Sequence, residues 1–422
     1  MCKLLEHILH SQISKHLEAH NILTTLQHGF RKGHSCVTQL IQVVDDWMDG
    51  VEKSQQIDAA ILDFTKAFDC VPHERLKSKL HHYGIRNNTL NWITRFLTHQ
   101  RQQRVVINGE SSKWHPVISG VPQGTVLGPL LFLIYINDIV EDLQCNIRLF
   151  ADDAILYTTV SSVQDCSKLQ NDLDKVCQWA SKWQMTFNPK KCNTMSVGLM
   201  KSKTSNDYTM IGETLKQVQE HTYLGVKISN DLSWKSNHRH TVCKANRILG
   251  LLQRNIHQCS KETKIKAYKA LVRPHLEYAA VVTDPYQTKY IRMLDKVQRR
   301  AARFVVNDYR RRSSVTKMLN ELEWESLAER RLNARLCQFY QIHNGKSPVT
   351  STKLHPRDAT HSSRYFTSNA YKIIESRTDR HKNSFFPRTI RDWNKLPLTT
   401  TTRPSLDSFK ANLNNNNNTK MS

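Results

Sequence analysis

Three acidic residues stand at the ends of apolar runs: Asp63 follows Ala59-Ala60-Ile61-Leu62, and the adjacent pair Asp152-Asp153 follows Leu149-Phe150-Ala151. Neighbouring carboxylates at a strand end repel one another and resist loss of water unless a cation lies between them. Taken alone, an Asp-Asp pair suits an ordinary polar turn equally well. A third carboxylate in the same kind of setting turns the reading toward a divalent-metal site, and hard oxygen ligands select Mg2+ or Mn2+. Two such ions about 4 Å apart would acidify an attacking hydroxyl and stabilise a leaving pyrophosphate oxygen in an in-line phosphoryl transfer.

The surrounding pattern predicts elements able to hold such residues. Ala59 to Leu62 reads as a buried strand, and Pro72 opens a helix running through Leu76 and Leu80 to a stop at Gly84. Thr89 is expected to cap a second helix carrying Leu90, Ile93 and Leu97. Arg104 to Ile107, the turn pair Asn108-Gly109, and Trp114 to Ile118 predict a hairpin. Gly128-Pro129 begins a buried helix, and Arg148 to Tyr157 predicts a second hairpin with the Asp pair at its tip. Through Asn230 the class is α+β.

Beyond Asn230 the chain turns helical and basic. The 422 residues carry 61 Lys and Arg against 37 Asp and Glu, a formal charge of +24. The portion through Asn230 holds 24 basic and 22 acidic residues, and the remainder 37 and 15. This asymmetry points to a partner of dense negative charge, nucleic acid or an anionic membrane, held mainly by the second portion. In Lys289 to Val306, Ile291, Leu294, Val297, Ala301 and Phe304 form an apolar face, while Arg292, Lys296, Arg299 and Arg303 form a cationic stripe suited to phosphate or simply to solvent. Arg310-Arg311-Arg312 adds a basic cluster of the nuclear-import kind. Beyond Gly345 the composition is polar, with Thr399 to Thr402 and Asn414 to Asn418 reading as low-complexity tail.

With 39% apolar residues the chain can bury a core. Leu130 to Ile136 is its greasiest run, far short of the roughly 18 residues of a membrane span. Ten cysteines lie scattered without a Cys-x-x-Cys pair. That spacing argues against a zinc site or disulfide framework and for a reducing interior, nucleus and cytoplasm rather than secretion.

Five blocks occur in order: Gln27-His28-Gly29-Phe30-Arg31-Lys32-Gly33-His34-Ser35; Leu62-Asp63-Phe64-Thr65-Lys66-Ala67-Phe68-Asp69; Ser119-Gly120-Val121-Pro122-Gln123-Gly124-Thr125-Val126-Leu127-Gly128-Pro129; Phe150-Ala151-Asp152-Asp153; and Tyr223-Leu224-Gly225-Val226. The chain resembles the reverse transcriptases of LINE-type, jockey-like non-LTR retrotransposons. The likeness extends through Phe385-Phe386-Pro387-Arg388 and Trp393-Asn394-Lys395-Leu396-Pro397, similar to the family's C-terminal block.

The resemblance implies a right-hand polymerase palm, an antiparallel sheet with packed helices, with partial fingers, then an all-helical basic thumb and C-terminal region. The implied divisions are 1–56 for residual fingers and palm entry, 57–230 for the palm, 231–345 for the thumb and 346–422 for the C-terminal region. It also implies an RNA-directed DNA polymerase that extends a DNA primer 3′-hydroxyl on an RNA template with deoxynucleoside triphosphates and two Mg2+ ions, Mn2+ being an alternative. Asp63 and Asp152 would bind both metals, with Asp153 in support and the Phe64 carbonyl completing a shell. Phe68 corresponds to the steric gate against a 2′-hydroxyl, although it also suits a core aromatic. Gln123 and Gly124 fall where the family contacts incoming nucleotide and template. Arg31 would reach a phosphate, and Lys190 or Lys191 would lie near the triphosphate as a general acid. Tyr223, Leu224 and Gly225 resemble the primer grip.

Complete elements of this kind carry an endonuclease and fingers with an Arg-Pro-Ile-Ser block before the palm. Met1 stands about 25 residues before the Gln27 block, so an N-terminally truncated chain is expected. The competing reading is a non-catalytic remnant that only binds RNA/DNA duplex through its basic thumb.

Overall fold

The apolar run before Asp63 is the middle strand of a five-stranded sheet. The computed structural model describes residues 2–99, 101–200, 202–350, 352–357 and 369–418, and the chain divides into two units, Met1–Gln39 with Gln55–Val218 and Leu40–Ser54 with Gln219–Ser422. The division leaves the Tyr223 block in the second unit. In chain order, the main elements are α1 (Cys2–Ala19), α2 (Cys36–Glu52), β1 (Gln56–Leu62), α3 (His73–His82), α4 (Asn87–Thr98), α5 (Leu127–Ile136), β2 (Asn146–Phe150), β3 (Asp153–Val160), α6 (Val163–Lys182), β4 (Asn193–Val197) and β5 (Lys216–Gln217).

The sheet runs β5-β4-β1-β3-β2, antiparallel except for the β4–β5 edge. Every residue of β1 is buried. That includes Asp58, whose carboxylate accepts from the Tyr208 hydroxyl at 2.7 Å and from Gln56 Nε2 at 2.8 Å. A buried carboxylate without such donors would cost several kcal/mol. Helix α5, apolar on all sides, belongs to the same core as Leu62, Leu149, Leu156, Leu169 and Leu173. Helix α6 opens on a capping box between Ser162 and Asp165.

Lys79 of α3 is 3% exposed. Its ammonium donates to the Tyr135 carbonyl and to Asp138 Oδ1, and lies 3.8 Å from the centre of the Trp183 ring and 4.9 Å from those of Tyr135 and Trp179. Burial pulls it down to about 8, against the raising effect of Asp138.

The predicted helices and hairpins of this unit form, with two corrections: the cap of α4, and the first ribbon, where Glu110–Ser111 rather than Trp114–Ile118 faces Val106–Ile107. Helix α4 starts at Asn87 after Arg86, so Thr89 lies inside the first turn rather than at the cap. Asn108-Gly109, both at positive φ, join Val106–Ile107 to Glu110–Ser111, and Gln102–Gln103 pairs with His115–Pro116. This ribbon leaves Val105, Val106, Ile107, Trp114 and nearby Ile118 more than half exposed, with the Arg104 guanidinium 4.7 Å from the Trp114 ring.

The second unit contains a short hairpin, Glu220–Tyr223 with Val226–Ser229, and the helices α7 (Lys235–Asn255), α8 (Thr288–Val306), α9 (Leu327–His343), α10 (Phe385–Trp393) and α11 (Leu406–Asn418). Leu294, Val297, Ala301 and Phe304 of α8 are buried with Ala245, Leu249 and Leu252 of α7. Between Lys261–Ala267 and Arg273–Glu277 the helix widens into a π turn at Tyr268–Val272, next to Pro274, which has no N–H for a regular helical bond.

Among the described residues, the threonine-rich part of the polar C-terminal stretch is folded rather than loose. Trp393 and Phe409 pack near Phe339 and Tyr340, and Thr400 and Thr401 are buried. Positions beyond 418 lie outside the described residues. No helix among the described residues is long and apolar enough to cross a membrane.

Candidate active site

Register brings the carboxylates together. Leu62 of β1 faces Ala154 of β3, and Phe150 of β2 faces Asp153, so one step past β1 brings Asp63 level with Asp153. Ala151 and Asp152 form the two-residue turn between β2 and β3, Ala151 having a left-handed φ of 54°. The sequence places the Asp pair at a hairpin tip, and antiparallel pairing with β1 then sets Asp63 beside it.

The backbone around Asp63 is fixed by the 186–192 loop. Its N–H donates to Cys192 Sγ at 3.3 Å, and its carbonyl accepts from the Asn188 N–H at 2.8 Å. The Thr65 N–H donates to the Thr186 carbonyl at 2.8 Å, and the Phe64 ring stacks on Phe187 with centroids 4.1 Å apart. Neither backbone bond uses the Phe64 carbonyl.

Asp63 Oδ2 is shut from solvent and accepts no hydrogen bond among the described residues. Lys191 Nζ lies 3.5 Å from it on a side chain that is otherwise 67% exposed. Burial and the Asp63 charge push Asp152 above the usual carboxylate range. Desolvation, then the charges of Asp152 and Asp63, push Asp153 up to about 6. Of these causes, the like charges are the part that a counter-ion between the carboxylates would relieve.

An unsatisfied buried carboxylate oxygen beside two repelling carboxylates is a donor set that fits a hard divalent cation. Among the described residues no three His, Cys, Asp or Glu side chains are gathered into a coordination sphere, so these carboxylates do not close one by themselves.

The turn carrying Asp152 leans on the Gln27 block. Gln27 is 2% exposed. Its Oε1 accepts from the Gly29 N–H at 2.7 Å and the Ala151 N–H at 2.8 Å, while its Nε2 donates to the Ala151 carbonyl at 3.2 Å. Gly29 is packed so closely that an added Cβ would lie 2.3 Å from Ala151 N.

The remaining residues singled out in this unit surround the carboxylates unevenly. Phe68 is half-buried and stacks on Phe132 at 4.3 Å, with Phe30 edge-on at 6.1 Å. Gln123 Nε2 donates to Asp69 Oδ1 at 3.0 Å. Both line a cleft of about 500 Å3 with Lys66, Arg101 and Pro122, whereas Gly124 lies exposed beside it. Arg31 Nη1 donates to the Thr24 carbonyl at 2.6 Å, which ties that guanidinium to its own loop. Lys190 is exposed.

In the second unit, Leu224 and Gly225 form the tight turn of the Glu220–Ser229 hairpin, both at positive φ, and the Tyr278 hydroxyl donates to the Leu224 carbonyl at 2.6 Å. Tyr223 is buried beside them. Arg292, Lys296 and Arg299 are exposed along α8. Arg303 instead donates to the carbonyls of Asp308, Arg310 and Ser313 and closes the turn after the helix.

Gln27 and Cys192 touch the carboxylate-bearing backbone without having been assigned roles from the sequence. Gln27 lies in a recognised block, but nothing in spacing tells that its side chain crosses to position 151. Cys192 directly follows Lys190-Lys191, and its burial beneath Asp63 depends on β1–β4 pairing.

Comparison with known proteins adds kinship to this geometry. The family described as "Reverse transcriptase (RNA-dependent DNA polymerase)" matches residues 1–228. The chain is 29% identical over 296 residues to an RNA-directed DNA polymerase from mobile element jockey of Drosophila funebris, covering 66% of this chain and 32% of that protein. It is 25% identical over 321 residues to a probable RNA-directed DNA polymerase from transposon X-element of Drosophila melanogaster, covering 72% and 34%. The chain thus spans about a third of the length of the curated relatives it matches. Among solved structures, apo telomerase from Candida tropicalis aligns with a TM-score of 0.44 at 11% identity, covering 80% of this chain and 54% of that one.

Proposed function

The chain belongs to the reverse transcriptase (RNA-dependent DNA polymerase) family, and from that premise we propose that its carboxylate cluster is the centre of an RNA-directed DNA polymerase of the non-LTR retrotransposon kind. The observation that carries the reading is the β1–β3 register, which sets Asp63 beside the Asp152-Asp153 turn. The substrates would be a primer 3′-hydroxyl, an RNA template and deoxynucleoside triphosphates.

Asp63 and Asp152, with the Phe64 carbonyl and support from Asp153, would hold Mg2+ or Mn2+. Bound there, the ions would acidify the primer hydroxyl and stabilise charge on the leaving pyrophosphate. The chain's own part is to orient and to balance charge. The 186–192 loop holds the Asp63 backbone from both its N–H and its carbonyl. Lys191 supplies a positive charge on Asp63 and is long enough to turn to a phosphate, where it would donate a proton. Phe68, stacked on Phe132, offers a rigid ring of the kind that excludes a ribose 2′-hydroxyl. Gln123, held by Asp69, offers an amide to nucleotide or template.

In the second unit, the Tyr223-Leu224-Gly225 turn would grip the primer, and Arg292, Lys296 and Arg299 would meet duplex phosphates. Primer extension on poly(rA)/oligo(dT) with Mg2+, comparing wild type with Asp152→Asn, tests the reading. Incorporation by wild type and loss in the variant is expected, and equal incorporation by both would refute it.

A further inference from the structure

Gln27 has no part in the chemistry above, yet its carboxamide is bonded on both sides to the residue preceding Asp152. Resting on the polymerase reading of the cluster, we propose that Gln27 is a positioning residue that fixes the direction of Asp152 by holding the Ala151 turn.

Ala151 adopts a left-handed conformation that costs a non-glycine residue about 1 kcal/mol, and it is 5% exposed. Its N–H and carbonyl point sideways from the end of the hairpin, where a buried backbone group left without a partner is costly. The Gln27 carboxamide supplies one acceptor and one donor in a single plane, matching both groups of Ala151, and its Oε1 takes the Gly29 N–H as well. Asparagine is a methylene short, methionine has no donor, and ionised glutamate would set a negative charge against the Ala151 carbonyl.

The carboxamide is itself held. The Leu149 N–H donates to the Leu26 carbonyl at 2.9 Å and the His28 N–H donates to the Leu149 carbonyl at 2.8 Å. Backbone from 26 to 28 therefore grips the strand before the turn, and the Gln27 side chain grips the turn itself. With both points fixed, Asp152 leaves the turn in one direction.

Gln27→Met and Gln27→Glu are compared with wild type and Asp152→Asn in primer extension, in Mn2+ titration followed by water-proton relaxation, and in thermal unfolding. In Gln27→Met, kcat is expected to fall roughly ten- to a hundredfold and Mn2+ affinity about tenfold, with a cooperative melt and little change in triphosphate KM, as for loss of a group that orients a metal ligand. Gln27→Glu carries a carboxyl that, once protonated, has the shape and hydrogen-bonding of the amide. The ratio of its kcat to that of wild type should therefore rise about fivefold or more from pH 8 to pH 6, while the Gln27→Met ratio stays flat.

Wild-type kcat and Mn2+ affinity in a folded Gln27→Met overturns the proposal, as does a Gln27→Glu ratio that falls as the pH is lowered from 8 to 6. Failure of both variants to fold also overturns it, since the amide would then be structural. If wild type incorporates no more than Asp152→Asn, the polymerase reading fails on its own. The Mn2+ affinity of Gln27→Met then decides the positioning claim, upheld if weakened and rejected if unchanged.

Discussion

Gly29→Ala is the smallest change that should move the turn carrying Asp152. The added Cβ would sit 2.3 Å from Ala151 N, 3.0 Å from Ala151 Cα and 3.0 Å from the Phe150 carbonyl carbon, all of them backbone atoms that no side-chain rotation can clear. Restoring ordinary contact requires the two segments to part by about 1 Å. Just before this contact the Gln27 block is bonded to Leu149 of β2 through Leu26 and His28, so the separation falls on the turn that carries Asp152. A misplacement of about 1 Å at a reacting centre costs about a hundredfold in rate, and overpacking costs roughly 1–3 kcal/mol of stability. Steady-state primer extension gives kcat, and urea unfolding gives the stability loss. Gly33→Ala, whose methyl meets nothing within 4 Å, should strain the backbone without slowing the reaction. A Gly29→Ala enzyme within twofold of wild-type kcat would refute the reasoning, because the turn would then have absorbed the methyl without consequence for Asp152.

Three further outcomes are expected. Lys79→Met leaves Asp138 and the Tyr135 carbonyl without their ammonium and should destabilise the first unit by roughly 3–5 kcal/mol, while adding Asp138→Asn should recover a large part of that; additive losses in a urea double-mutant cycle would reject the pairing. His238 is 3% exposed and held down to about 4, first by burial and then by the Arg331 charge, so the unfolded chain binds the extra proton between about pH 6.5 and 4. The second unit should therefore lose about 2 kcal/mol from pH 7 to pH 5, and denaturant unfolding of His238→Gln should lack that share of the pH slope. Neutralising Arg292, Lys296 and Arg299 together should reduce the log–log salt dependence of duplex binding by about 2.7, whereas Arg303→Gln should act mainly on stability; an unchanged slope in the triple variant would mean that the stripe is only solvated.

Much of the first unit was legible because its signals are local. A four-residue apolar run ending in Asp63, proline and glycine at the ends of α3, and Asn-Gly between short apolar runs each carry their own structural instruction. The beginning of α4 was not, because Thr89 is a good cap by type while Asn87 takes the left-handed entry conformation that ends the preceding turn. Arg303 belongs by period to the α8 stripe. Only the course of the chain after Asn307 shows that its guanidinium meets three carbonyls there. Threonine-rich sequence at 399–402 reads as tail by composition, yet Thr400 is buried with its hydroxyl donating to Asn412, a partner that composition does not reveal. At the site, residue types announced the carboxylates, whereas the contacts that aim them, Gln27 to Ala151 and Cys192 to Asp63, join segments more than 120 residues apart.

The ribbon between Gln102 and Pro116 sets a practical limit on the solvent. Its valines, Ile107 and Trp114 favour burial against one another on separate molecules, and this attraction grows stronger with salting-out ions. The cationic second unit makes the opposite demand, since only added salt screens its attraction to stray polyanions. Colloidal stability should therefore pass through a maximum at intermediate ionic strength, and weakly hydrated anions should widen that window where sulfate narrows it.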